Sequence, residues 1–335
     1  MAQRIPQLDG VRALAILAVF VHHALHVKLL WMGVDLFFIL SGFLITGVLL
    51  DAKKHTLGKY FSQFYERRAR RILIPYVLFL ALASLVFGVA WMQHWYLYIL
   101  LTNFLMPLRI PRPAAFDPLW SLAVEEQFYL VWPFAVYFLG GRRLRQFCVL
   151  LMVLAPFLRG AVHFQQHWPI YTLTPFRMDL LAAGALLCIE WRSHRETIER
   201  WGTRAGGVLF VVGGAGLALL MFFGVSTYAN TRVGNVLIYE ANLCICLGII
   251  IYALAGRGVG WLRIAPLQYI GKISYSMYLV HVGILVIVGM WITGLPAAAA
   301  SLALTIGYGA ISWSLLESRL LGKSKRKAPL LVKAV

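Results

Sequence analysis

Leu8-Asp9-Gly10-Val11-Arg12-Ala13-Leu14-Ala15-Ile16-Leu17-Ala18-Val19-Phe20-Val21-His22-His23 is an apolar run broken by one cation and, eleven residues on, by an imidazole. Eleven steps at about 100° make about three turns plus 20°, so Arg12 and His23 share one helix face. The rise between them is about 16 Å, roughly half of a bilayer core. A charge inside a membrane costs about 2.5–3.5 kcal/mol on insertion scales, so both residues need a reason to be there. Either Arg12 snorkels to the headgroups while His23 bonds a neighbouring helix, or both serve a site inside a bundle.

The rest of the chain is of the same kind. Of 335 residues, 61% are hydrophobic and only 13% charged, and several apolar runs reach bilayer-spanning length. This excludes a soluble domain and predicts an all-α integral membrane protein. The net charge of +18 does not point to nucleic acid, because the basic residues cluster in short segments between apolar runs. That is the pattern of cytoplasmic loops facing anionic lipid. Cys148, Cys188, Cys244 and Cys246 lie in or beside apolar runs with no metal-ligand spacing, so they are read as packing residues. No metal site is expected. The N-terminal run carries His22 and His23 and lacks a clear small-residue cleavage site, which argues against a cleaved signal. There is no internal repeat and no low-complexity segment. We expect one transmembrane domain over residues 1–322 and a basic cytoplasmic tail over 323–335, with no appended soluble module.

A bundle of ten spans is predicted, at about 9–28, 32–50, 72–92, 119–139, 145–163, 175–191, 205–224, 235–254, 267–290 and 297–320. Four basic clusters set the orientation: Lys53 to Arg71, Arg142 to Arg145, Arg192 to Arg204, and Lys323 to Lys327. Ten spans with both termini cytoplasmic put all four inside and residues 107–118 outside. The short apolar segment 96–107 is then a re-entrant or interfacial piece, and 57–71 an amphipathic surface helix.

At about 1.5 Å per residue, His23 lies roughly 21 Å from the inner boundary. Glu125 and His281 reach about the same height, and Asp35 and Asp179 fall slightly nearer the outside. Five ionisable side chains from five helices thus gather in the outer half, which predicts a shared cavity. Arg12, Arg68, Arg71 and Glu317 lie toward the inner side. Arginine suits bidentate phosphate recognition, although Arg68 and Arg71 also serve topology. Ser274, Tyr278 and His281 form one polar stripe, which reads as helix–helix glue or as part of the site. Ser41-Gly42 favours close helix packing, His22 and His26 are bystanders, Trp120 is an interfacial anchor, and Glu126 and Glu240 find polar partners.

The matching pieces of a known family are Leu8-Asp9-Gly10-Val11-Arg12 with His23, Gly33-Val34-Asp35 through Ser41-Gly42-Phe43, and Arg68-Ala69-Arg70-Arg71 with Pro75-Tyr76. Trp120-Ser121-Leu122 with Glu125-Glu126-Gln127, Arg177-Met178-Asp179, and Ser274 through Tyr278 to His281 follow in order, then Glu317. Each is weak alone; the ordered set resembles the membrane-bound acyltransferase-3 family, which O-acylates bacterial surface glycans and some small molecules. Two departures stand out. The family often has a His just before Trp-Ser-Leu, where this chain has Asp117-Pro118-Leu119, and a Pro two residues after the last Glu, where it has Ser318-Arg319. Some members carry a fused hydrolase-like domain, and we expect the stand-alone form here.

The resemblance implies an acyl-CoA donor, most often acetyl-CoA, entering from the cytoplasm, with no permanently bound cofactor. The acceptor is a hydroxyl of a glycan or small molecule on the other side of a bacterial inner membrane. Arg68 and Arg71 would bind CoA phosphates, and Arg12 the pantetheine or diphosphate end. His23 is the candidate base or acyl carrier, with His281 as the other imidazole at that depth. Glu125 or Asp35 would orient the imidazole. Trp120, Arg177, Asp179, Ser274 and Tyr278 are candidate substrate contacts, Tyr278 or Ser274 serving the oxyanion. The alternative is a proton-coupled transporter or flippase, which also uses buried histidines and carboxylates. A non-catalytic scaffold leaves the stacked ionisable groups unexplained.

Overall fold

A computed structural model describes residues 5–225 and 230–319. They form eleven α-helices and no strand among the described residues. In chain order these are α1 (Pro6–Leu25), α2 (Gly33–Ala52), α3 (Leu57–Phe87), α4 (Leu119–Phe138), α5 (Gly141–Ala161), the one-turn α6 (Trp168–Thr172), α7 (Met178–Ser193), α8 (Arg195–Phe222), α9 (Arg232–Ala255), α10 (Ala265–Gly289) and α11 (Gly294–Ser312). Eight of the helices are long and apolar enough to cross a membrane. The other two expected spans are present as α4, which carries Glu125 and Glu126, and α7, a 16-residue helix buried among its neighbours. The protein is an all-α integral membrane protein.

Two expectations change. The surface helix over 57–71 and the third span are one continuous 31-residue helix, α3, which runs through Pro75. No turn residue separates the two parts, and the Tyr60 hydroxyl donates to Pro133 O (3.0 Å) and that of Tyr65 to Leu130 O (2.9 Å), fastening α3 along α4. Likewise, most of the expected loop 192–204 is the start of α8, where Arg195 pairs with Glu199 one turn on at 2.7 Å.

Residues 96–107 do not cross, as expected. They form tight 3-10 turns whose irregular backbone is met by side chains. Tyr76 donates to Tyr98 O (2.9 Å), Gln127 to Leu100 O (2.7 Å) and Thr172 to Asn103 O (2.8 Å), while the segment's own Thr102 donates to Leu119 O of α4 (2.7 Å). Non-helical backbone at membrane depth is tolerated only with such partners.

Helix packing relies on glycine where backbones touch. A Cβ on Gly42 would lie 2.0 Å from Leu181 O, and one on Gly184 1.9 Å from Ile39 O, so α2 and α7 meet without side chains between them. Gly271 of α10 meets Asp9 O of α1 in the same way.

The basic clusters collect at one end of the bundle. Lys53 Nζ donates to Val136 O (2.9 Å) and Leu139 O (3.0 Å), beside the start of α5. Arg192 pairs with Asp51 (2.7 Å) and Arg145 with Glu190 (2.5 Å). Residues 107–118 precede α4 and therefore lie at the other end. The fourth cluster, Lys323 to Lys327, and the tail lie outside the described residues. In a variant cleared of native cysteines, Lys53→Cys and Arg142→Cys should react with an impermeant thiol reagent from the same side of the membrane, and Ala114→Cys from the opposite side. Labelling of Lys53→Cys and Arg142→Cys from opposite sides would overturn this topology.

Candidate active site

Arg12 of α1, Arg68 and Arg71 of α3, and Glu125 and Glu126 of α4 line a cavity of about 70 Å³ that ends at Ser121 and Tyr278. A second cavity of about 630 Å³ lies toward the basic end. The two share Arg12, Arg68 and Arg71, so together they lead from the basic end into the bundle. Heptad-like geometry explains the convergence: Arg68 and Arg71 are three residues apart and project from one side of α3.

Little in the protein neutralises these arginines. The Arg68 guanidinium lies over the Tyr129 ring at 5.7 Å and the Phe64 ring at 6.0 Å. Arg12 Nε is buried without a hydrogen-bond partner. Glu125 is engaged elsewhere, accepting from Ser41 Oγ at 2.6 Å and from the Tyr129 hydroxyl at 3.1 Å. A half-buried cluster of three guanidinium groups, none in an ion pair with a carboxylate among the described residues, suits an anionic ligand.

His23 and His281 form a pair. Their rings lie 4.9 Å apart edge to face, with His281 Nε2 and His23 Nδ1 separated by 3.3 Å. The neighbouring carbonyls fix the proton positions of the neutral rings. His281 Nδ1 faces Tyr278 O at 2.7 Å, so it carries hydrogen and leaves Nε2 bare. His23 Nδ1 faces Val19 O at 2.9 Å, so it too carries hydrogen, and its second neighbour is the bare Nε2 of His281. His23 Nε2 is therefore left with its lone pair, the state a base or nucleophile needs. This corrects the expected orienter: it is His281, and neither Glu125 nor Asp35, that contacts the His23 ring.

The five ionisable groups do not share one cavity. Asp35 is fully buried and pairs with Arg177. Five rings surround that guanidinium, from Tyr239 at 4.9 Å to Trp120 at 6.0 Å. Asp179 is bound to Arg159 at 2.7 Å, and Arg159 also reaches Glu240 and Phe176 O, both at 2.5 Å. None of Asp35, Arg177, Asp179 or Trp120 lines either cavity. Trp120 is buried, not an interfacial anchor, because its ring packs on Phe38 and Tyr171. The histidine pair also stands just outside the lining, behind Tyr278, whose ring is 5.5 Å from that of His281. Tyr278 and Ser121 share a 2.5 Å hydrogen bond at the cavity's end, whereas Ser274 donates to Gly271 O at 2.9 Å. Glu317 accepts from Ser276 (2.6 Å) and Ser312 (3.2 Å), and so ties the end of α11 to α10.

A family model described as an acyltransferase domain, Acyl_transf_3, matches residues 5–317. The chain belongs to the acyltransferase-3 family. Among its relatives are the peptidoglycan O-acetyltransferase OatA of Listeria monocytogenes, 29% identical over 315 residues, and the O-acetyltransferase OatA of Staphylococcus aureus, 29% identical over 320 residues. The alignments cover 83% and 86% of this chain but 49% and 51% of those proteins. The chain thus spans about half the length of the curated relatives it matches. No solved structure matches it.

Sequence reasoning misses Arg159, and it gives Tyr129 only as the end of the motif that begins at Trp120. Arg159 is a last-turn basic residue of α5 and is indistinguishable by position from a snorkelling arginine. Tyr129 lies one turn beyond Glu125, and that spacing was the available signal. If Asp35 is structural, Asp35→Asn should leave Arg177 buried without its counter-charge and lower stability by roughly 3–5 kcal/mol. Thermal melting in detergent reads this, and an unchanged melting temperature would show that the pair does not hold the fold.

Proposed function

We propose that this acyltransferase-3 domain moves an acetyl group from acetyl-CoA at its basic end to a hydroxyl of peptidoglycan, or a related surface glycan, at the opposite end. The observation that carries the reading is the adjoining pair of cavities, arginine-lined from the basic end and ending at Tyr278, whose ring stands 5.5 Å from that of His281, the partner of His23. The basic end is the cytoplasmic one by the positive-inside rule, where CoA thioesters are made. The names of the relatives supply the glycan class of the acceptor.

In this reading the donor phosphates stop at Arg12, Arg68 and Arg71 and the pantetheine arm runs on past Glu125. Rotation of Tyr278 about its side chain joins the cavity to His23. The acceptor hydroxyl has a pKa far above neutral and needs a base. His23 Nε2 takes its proton as the oxygen attacks the thioester carbonyl. The tetrahedral intermediate then expels the CoA thiolate, which receives that proton from His23. Tyr278 and Ser121 are the hydroxyl donors nearest the oxyanion. In the covalent variant, the same bare Nε2 carries the acetyl group between donor and acceptor. A transporter reading requires no thioester chemistry, and release of free CoA separates the two.

His23→Ala should abolish acetyl transfer while CoA binding persists, and Arg68→Ala or Arg71→Ala should weaken CoA binding by roughly 1.5–3 kcal/mol each. His281→Gln, which keeps an acceptor for His23 Nδ1–H, should retain more turnover than His281→Phe. Calorimetric CoA binding and mass spectrometry of the glycan product check these outcomes. Near-normal transfer by a well-folded His23→Gln variant would remove His23 from the chemistry.

A further inference from the structure

The cavity at the basic end carries more positive charge than the pantetheine arm of a donor requires. Arg192, Arg195 and Arg263 join the three arginines shared with the inner cavity. Asp9 and Glu199 lie on the same wall and Asp51 pairs with Arg192, so six cations against three anions leave three positive charges. Pairing is uneven. Arg195 is bound to Glu199 and Arg192 to Asp51, each at 2.7 Å. Arg263 has no carboxylate within ion-pair distance among the described residues. It closes the 3-10 turn Gly260–Arg263, and that turn is held fast: a Cβ on Gly10 of α1 would lie 2.3 Å from Leu262 O. Gln7, only 6% exposed, lines the same cavity with its Oε1 unpartnered. It offers a buried acceptor of the kind an adenine amino group meets.

Uncompensated guanidinium groups on a concave wall recognise phosphate. Thioesters differ in how much phosphate they bring. Bare pantetheine has none, a carrier-protein arm has one phosphodiester, and CoA has a diphosphate and a 3′-phosphomonoester, about four negative charges near neutral pH. Of these, CoA alone brings enough phosphate to engage all four wall arginines that no ion pair holds among the described residues, Arg12, Arg68, Arg71 and Arg263. We infer that Arg263 binds the 3′-phosphate of the donor, leaving Arg12, Arg68 and Arg71 for the diphosphate. The site therefore selects CoA thioesters over thioesters that lack the 3′-phosphate. This rests on the reading of the two cavities as the donor path. A lipid headgroup offers the same phosphate chemistry to Arg263, and the choice of donors below distinguishes the two sources.

The test compares acetyl-CoA with acetyl-3′-dephospho-CoA on the purified chain in one lipid mixture, for the wild type and Arg263→Gln. The wild type should prefer acetyl-CoA in kcat/KM by about tenfold or more, expressed in KM. Arg263→Gln should lose that preference by raising KM for acetyl-CoA and leaving KM for the dephospho donor unchanged. Equal use of both donors by the wild type would overturn the inference and leave Arg263 to lipid. So would a preference that survives in Arg263→Gln. The wild-type comparison is decisive even if the variant does not fold. Transfer from neither donor would instead remove the donor reading itself, and this inference with it.

Discussion

Three guanidinium groups, Arg12, Arg68 and Arg71, converge inside a membrane bundle with no carboxylate in ion-pair contact among the described residues. A charge in a low-dielectric interior must be paired, hydrated or neutralised by a ligand. Glu125, the natural partner by position, is turned toward Ser41 and Tyr129. The sequence spends two helices on this convergence: α1 brings Arg12, and α3 brings the other two. The arginines lie where two cavities meet, so their free charge faces space and not packed side chains. The proposed donor site depends on these unpaired guanidinium groups.

The other buried cations are treated in the opposite way. Arg177 has Asp35 and a ring of five aromatic side chains; Arg159 has Asp179, Glu240 and a backbone carbonyl. Breaking one partner of such a pair leaves an uncompensated buried charge, so these groups lock α2, α5, α7 and α9 together. The glycine contacts between α2 and α7 draw the same helices to backbone contact. One part of the bundle is thus closed and satisfied, and another part holds open space. A path for a long anionic donor needs both, since a site is only as well placed as the elements behind it.

Much of this was legible in the residues. Apolar run length gave the ten helices, and the basic clusters gave the shared end of Lys53, Arg142 and Arg192. The spacing of Arg12 and His23 placed one in the cavity system and the other beside its far end. Depth along a helix could not say which neighbour each polar group faces. That is why five groups of similar height divide among a histidine pair, a cavity carboxylate and two arginine clusters. Rotation about the helix axis, set by packing, decides such pairings. Arg159 and the role of His281 as partner of His23 are of this kind. The join of the 57–71 helix to the third span was hidden for a different reason: a proline inside a membrane helix is tolerated where neighbours meet the freed backbone groups, so α3 runs on through Pro75.

The central claim is that acyl groups enter at the basic end and leave at the other. The direct measurement uses proteoliposomes in which the chain is inserted in one orientation, with labelled acetyl-CoA confined to the side of Lys53 and Arg142. A soluble glycan acceptor is confined to the side of residues 107–118. Labelled ester on that acceptor and free CoA on the donor side are expected. Acetylation only when donor and acceptor occupy the same compartment would contradict it.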